Sequence, residues 1–169
     1  MQQGESGPLY AVLPGQLLSA GTTGTAAIAG GVLAQSFSGV ALQQSYWNFY
    51  LPLGWVEGGL VVPQVCWAPA DAVAGNVNWG VEYSIISPAG VAATATLTAS
   101  TATPAVAGQY TITELADIDL AGRPIRSVLH ARLYRDGATD SYNNTVLLLN
   151  FGLRIQANSV GSVYPDRRA

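Results

Sequence analysis

From Asn76 to Ile86 the chain reads NVNWGVEYSII, and large apolar side chains alternate with small or polar ones. Val77, Trp79, Val81, Tyr83 and Ile85 fall on one face of an extended strand, with Asn78, Gly80, Glu82 and Ser84 on the other. A helix would scatter those five side chains around its circumference, whereas a pleated sheet gathers them into one packing surface. The same alternation returns in 126–135, where Leu129, Ala131 and Leu133 oppose His130, Arg132 and Tyr134. In 145–156 it sets Leu147, Leu149, Phe151, Leu153 and Ile155 against Asn150, Gly152 and Arg154.

Short apolar runs of this kind occupy 27–37, 45–51, 60–68, 76–87, 91–99, 109–115, 126–135 and 145–156. Breaks rich in Gly, Pro, Asp and Asn separate them at 71–75, 87–90, 103–108 and 136–144. This spacing predicts an all-β, jelly-roll-like antiparallel sandwich of about eight strands. The best helical candidate, 112–121, could equally be a loop. Residues 1–26 hold four glycines before Gly24, two prolines and a Thr-Thr-Gly-Thr stretch. They read as an extended N-terminal arm ahead of a sandwich domain at 27–160, with a C-terminal tail at 161–169. Arms of this type are commonly fixed by lying across a neighbouring subunit. The alternating Ala and Thr of 94–103 make a smooth strand suited to a sheet edge or a subunit contact.

Charge changes the picture of what the surface meets. Charged residues are 10% of the 169, against a usual value of about 25%, and the net charge is -3 with no lysine. A nucleic-acid partner needs a dense basic stripe, so none is expected. No run of about 18 apolar residues occurs, so no membrane-spanning helix is expected either. No basic n-region with a continuous apolar h-region opens the chain, and the expectation is synthesis in the cytoplasm without a signal peptide. A weakly charged surface favours burial against partner subunits.

Candidate chemistry is sparse. The single histidine, His130, rules out a metal site with more than one imidazole from one chain, and its strand setting reads as structural. Asp117, Asp119, Asp136 and Asp140 read as turn formers, because a calcium site needs six to eight oxygen ligands. No catalytic, cofactor or metal residues are assigned, and an enzyme is not expected. The lone Cys66 reads as a buried structural thiol. Gly21-Thr22-Thr23-Gly24-Thr25 lacks the Gly-Lys-Ser/Thr ending of a phosphate loop. The aromatic cluster Tyr46, Trp47, Phe49, Tyr50 and Trp55 reads as core or subunit interface, or as a ligand platform.

Several of these elements together resemble a family of tailed-bacteriophage virion structural proteins. They are Trp67-Ala68-Pro69, Gly75-Asn76-Val77-Asn78-Trp79 leading to Glu82-Tyr83, Arg132-Leu133-Tyr134-Arg135-Asp136, Asp140-Ser141-Tyr142, the alternating last strand and Gly161-Ser162. The resemblance covers about residues 55–165 and departs from the pattern at Cys66, where a histidine is expected. It implies a jelly-roll-like sandwich and a place on the virion, with no catalytic residues to carry over. The expected role is a capsid decoration or cement protein, a homotrimer contacting the major capsid protein and sister subunits. Its candidate interface residues are Leu9, Tyr10, Leu13, Leu17, Tyr46, Trp47, Trp55 and Tyr142. The alternative is a tail-fibre or receptor-binding domain in which exposed aromatics or the 136–144 loop bind host glycans.

Overall fold

Two antiparallel six-stranded sheets make up the protein in a computed structural model that describes residues 9–27, 33–52, 55–56, 58–87, 90–91, 94–120, 123 and 127–157. In chain order the strands are β1 (Leu9–Pro14), β2 (Gln16–Ser19), β3 (Gly24–Ala27), β4 (Leu33–Phe37), β5 (Leu42–Tyr50) and β6 (Val61–Pro69). They continue as β7 (Asn76–Ser87), β8 (Gly90–Val91), β9 (Ala95–Ala102), β10 (Thr111–Glu114), β11 (Val128–Asp136) and β12 (Val146–Ala157). The first sheet runs β10-β6-β12-β4-β3, with β1 also paired to β12. The second runs β2-β5-β11-β7-β8, with β9 also paired to β7. This is the all-β, jelly-roll-like sandwich that the alternating patterns predict.

The predicted face of β7 is the core face: Val77, Trp79, Val81, Tyr83 and Ile85 are all buried. Rings from the two sheets lock together there. Phe37 of β4 meets Trp79 edge-on at 5.0 Å, and Phe151 of β12 receives Phe49 at 5.1 Å and Trp47 at 5.7 Å. Such edge-to-face pairs add ~0.5–1.5 kcal/mol each beyond their burial.

The structure departs from the strand phase read for 145–156. A register shift between Leu148 and Asn150 puts a bulge in β12 against β6. Before it Val146 and Leu148 belong to the core cluster, and after it Phe151, Leu153 and Ile155 do, while Leu149 is exposed. An inserted residue reverses the side-chain phase, so one alternation cannot run through the strand. The helical candidate at 112–121 is β10 followed by irregular chain.

The N-terminal segment also differs from expectation. Its described residues form β1, β2 and β3, which pair within the same chain: β1 on β12, β2 on β5 and β3 on β4. The chain steps from the first sheet to the second at Gly15, whose N–H donates to Phe151 O at 3.0 Å. Backbone ladders thus fix this segment on its own sandwich despite its poor strand composition. Residues 1–8 of the expected arm, 28–32 of the first expected strand and the expected tail 161–169 lie outside the described residues.

Candidate functional site

The outer face of the second sheet is a grid set by strand register. Tyr46, Arg132 and Glu82 stand side by side across β5, β11 and β7, with Thr96 of β9 beyond them. The next row is Asn48, His130 and Ser84, and the Ser84 hydroxyl hydrogen-bonds that of Thr94 at 2.8 Å. On one side of these rows lie Gln44, Tyr134 and Gly80, and on the other Tyr50, Val128 and Ile86. Directly opposed residues of antiparallel strands share a face, so each row is a line of neighbouring side chains.

A shallow groove of about 260 Å³ runs over the two central rows. Tyr46 and Leu18 border it, Leu18 being the residue at which β2 bulges against β5. His130, Arg132, Glu82, Ser84 and Thr94 also line it. Tyr46 keeps 37% of its surface exposed, and its hydroxyl accepts a hydrogen bond from Gln44 Nε2 at 2.8 Å.

Arg132 is held before any ligand arrives. Its Nε lies 2.7 Å from Glu82 Oε2, its Nη1 donates to Gln44 Oε1 at 2.8 Å, and its guanidinium carbon sits 4.9 Å from the Tyr134 ring centre. Gly80 makes this possible, because a Cβ there would collide with the Tyr134 ring. The groove is therefore mostly apolar in surface with a few pre-positioned polar groups, its one cation and one carboxylate already paired.

The other candidate residues are placed elsewhere. Leu9, Tyr10 and Leu17 are exposed on β1 and β2, with the Arg154 guanidinium carbon 5.4 Å from the Tyr10 ring centre. Leu13 and Trp47 are partly buried against the core, and Trp47 Nε1 donates to Ser45 Oγ at 2.8 Å. Two candidates are corrected. Trp55 is 1% exposed and Tyr142 0%, so neither can be an interface or ligand platform in this fold. Both lie in segments without periodicity, where the sequence carries no sign of which way a ring points.

The loop after β11 is anchored from inside, while Ala138, Thr139, Ser141, Asn143 and Asn144 stay exposed. Arg135, fully buried, donates from Nε to Asp140 Oδ2 at 2.6 Å, from Nη1 to Phe37 O and Asn144 O at 2.8 Å, and from Nη2 to Tyr142 O at 2.6 Å. Asn78 N–H donates to the other Asp140 oxygen at 2.7 Å. Burial pushes the Asp140 carboxyl up, against the Arg135 and Asn78 hydrogen bonds that pull it down. The Tyr142 hydroxyl donates to Asp71 Oδ1 at 2.9 Å, and burial together with that bond pushes it up to about 12.

Cys66 is only half-buried, on the outer face of β6 opposite Ile112 and Asn150, which corrects its expected place in the core. Burial still pushes its thiol up. His130, read as structural, lines the groove. Among the described residues no cluster of three or more His, Cys, Asp or Glu could hold a metal, and no helix is long and apolar enough to cross a membrane.

No family model matches the chain, and no curated protein matches it by sequence. Among solved structures it is similar to CBM35 from Cellvibrio japonicus Abf62, with TM-score 0.47, 12% identity, and 89% of this chain and 99% of that one covered. It is also similar to the CBM22-1 xylan-binding domain of Paenibacillus barcinonensis Xyn10C, with TM-score 0.45, 11% identity and coverage of 88% and 95%. The arabinose-bound MgGH51 α-L-arabinofuranosidase matches over 83% of this chain with TM-score 0.43 and 14% identity. This chain spans only 23% of that enzyme's length. Similarity of this degree carries no functional inference.

Proposed function

We propose that the chain is a non-enzymatic recognition module that binds glycan on the outer face of its second sheet. The observation that carries this reading is the register that lines Tyr46, Arg132 and Glu82 beside His130, Ser84 and Thr94. A sugar ring presents apolar C–H faces and a rim of hydroxyls. Tyr46 offers an exposed ring for the first, and the polar side chains offer donors and acceptors for the second. The groove's volume is below the ~300–1,000 Å³ of enclosed ligand pockets, which suits a small sugar unit lying on the surface. Its lone carboxylate, tied to Arg132, suits binding better than glycoside hydrolysis, which uses a pair.

A glycan array probed with the whole chain tests the reading. Specific signal is expected, and Tyr46→Ala should reduce it at least ten-fold, about 1.4 kcal/mol, without lowering Tm. An array with no signal, or a Tyr46→Ala variant that binds as well as the parent, rules it out.

The exposed apolar side chains Leu9, Tyr10, Val12, Leu17 and Leu18 favour a second reading, a structural role in an assembly. In that reading the β1–β2 side of the sandwich contacts sister subunits, as a homotrimer, and the major capsid protein of a phage virion. Cryo-electron microscopy of a virion carrying this chain tests it. Density at the capsid's local three-fold positions supports the cement role, density at the tail tip or fibres supports the glycan-binding one, and absence from the particle removes the virion from both.

A further inference from the structure

Arg132 and Glu82 line the groove and stand directly opposed across β11 and β7. A ligand can reach both, since their side chains are 32% and 37% exposed. An arginine takes up a carboxylate by offering two parallel N–H donors along one edge of its fork. Arg132 has neither edge whole. At one edge Nε is closed to solvent and lies 2.7 Å from Glu82 Oε2, an ion pair without hydrogen-bond alignment. At the other edge Nη1 donates to Gln44 Oε1 at 2.8 Å. The Tyr134 ring, its centre 4.9 Å from the guanidinium carbon, lies against the group. The formal charges of Arg132 and Glu82 cancel, and the chain as a whole carries -3. A carboxylated ligand therefore finds no free cation, and it meets an exposed carboxylate that repels it. Sugar hydroxyls meet no such penalty, because a carboxylate accepts hydrogen bonds from them.

We propose that Glu82 makes the groove selective for neutral glycans, by keeping Arg132 from a sugar carboxylate. This rests on the glycan reading of the same groove and names its substrate class: neutral, hydroxyl-bearing sugars, with uronic and sialic acids rejected. Specificity is a difference of affinities, and a like charge facing the wrong ligand supplies it. Glu82→Gln keeps the shape of the side chain but leaves Arg132 uncompensated, so the Arg132–Glu82 pair becomes a single positive charge.

The test is a glycan array that carries neutral glycans beside their uronate counterparts and sialylated chains. The full-length parent, Glu82→Gln and Tyr46→Ala are compared in low-salt buffer, where charge effects are least screened. The parent is expected to bind the neutral member of a recognised pair at least ten-fold more tightly than its uronate. Glu82→Gln is expected to narrow that ratio at least ten-fold or to reverse it. Its Tm should change little, since exposed ion pairs add little stability. A parent that binds uronates or sialylated chains as well as neutral glycans, through Tyr46, overturns neutral selectivity and leaves the groove reading standing. A preference that survives unchanged in Glu82→Gln overturns the role of Glu82. If that variant does not fold, the parent's own ratio of neutral to uronate binding decides. No signal from the parent on any glycan, or signal indifferent to Tyr46→Ala, removes the groove reading itself.

Discussion

Arg135 is the residue on which one end of the sandwich depends. It reaches inward from β11 with Leu129, Ala131 and Leu133, and its donors serve Asp140 and three backbone carbonyls. Arg135→Met strands Asp140 as a buried lone charge and should lower stability by ~3–5 kcal/mol in urea unfolding. Adding Asp140→Leu should recover part of that loss, because the orphaned charge goes too. The buried Tyr142 hydroxyl gives a pH signature. Its folded value, pushed up to about 12, lies above the ordinary tyrosine value of 10.0, so the native state retains a proton that the unfolded chain releases. Stability from this group is complete below pH ~10 and is lost as pH rises through ~12. Tm measured between pH 9 and 12 should fall less steeply in Tyr142→Phe, which also gives up ~1–3 kcal/mol of hydrogen bonding at neutral pH. The strand phase that places Leu133 inward reaches Arg135 too, but a charged side chain was not expected on a core face, so its burial went unread. So did that of Tyr142, because its direction follows from a loop folded over Asn76 and Gly75.

At the scale of elements, alternation revealed β7 and β11 with their correct faces, since each keeps one unbroken register with its partners. It misplaced Leu149, because a bulge is a relation between two strands and β12 alone does not carry it. It also read β1 and β2 as an arm, Pro14 and the glycines around them hiding strands that exist through pairing with β12 and β5. Gly15, where the chain crosses between sheets, is the hinge of that pairing. A Cβ there would lie 2.7 Å from Phe49 Cζ and 2.9 Å from Trp47 Cε3. Gly15→Ala should therefore destabilise by ~1–3 kcal/mol. Hydrogen exchange should show the loss first as faster exchange in Leu9–Ser19, with β7 and β11 amides less affected. Uniform acceleration across all strands would mean that β1 and β2 open only with the whole sandwich.

At the scale of the molecule, function follows from which strands are neighbours. Tyr46, Arg132 and Glu82 are separated by dozens of residues and meet only because β11 lies between β5 and β7. Long-range pairing of that kind cannot be read from local pattern. Tyr46 was legible as a candidate from the aromatic cluster, and Glu82 and Arg132 as outward strand positions within the resembling motifs, but nothing local marked the three as neighbours. Chemical-shift mapping on the isotopically labelled chain, titrated with the strongest glycan from the array, tests most directly whether glycan binds the outer face of the second sheet. Perturbations are expected to concentrate at Tyr46, Glu82, Ser84, His130 and Arg132, on the outer face of the second sheet. Perturbations confined to the first sheet, to the β1–β2 side or to the loops at the sandwich ends would contradict it.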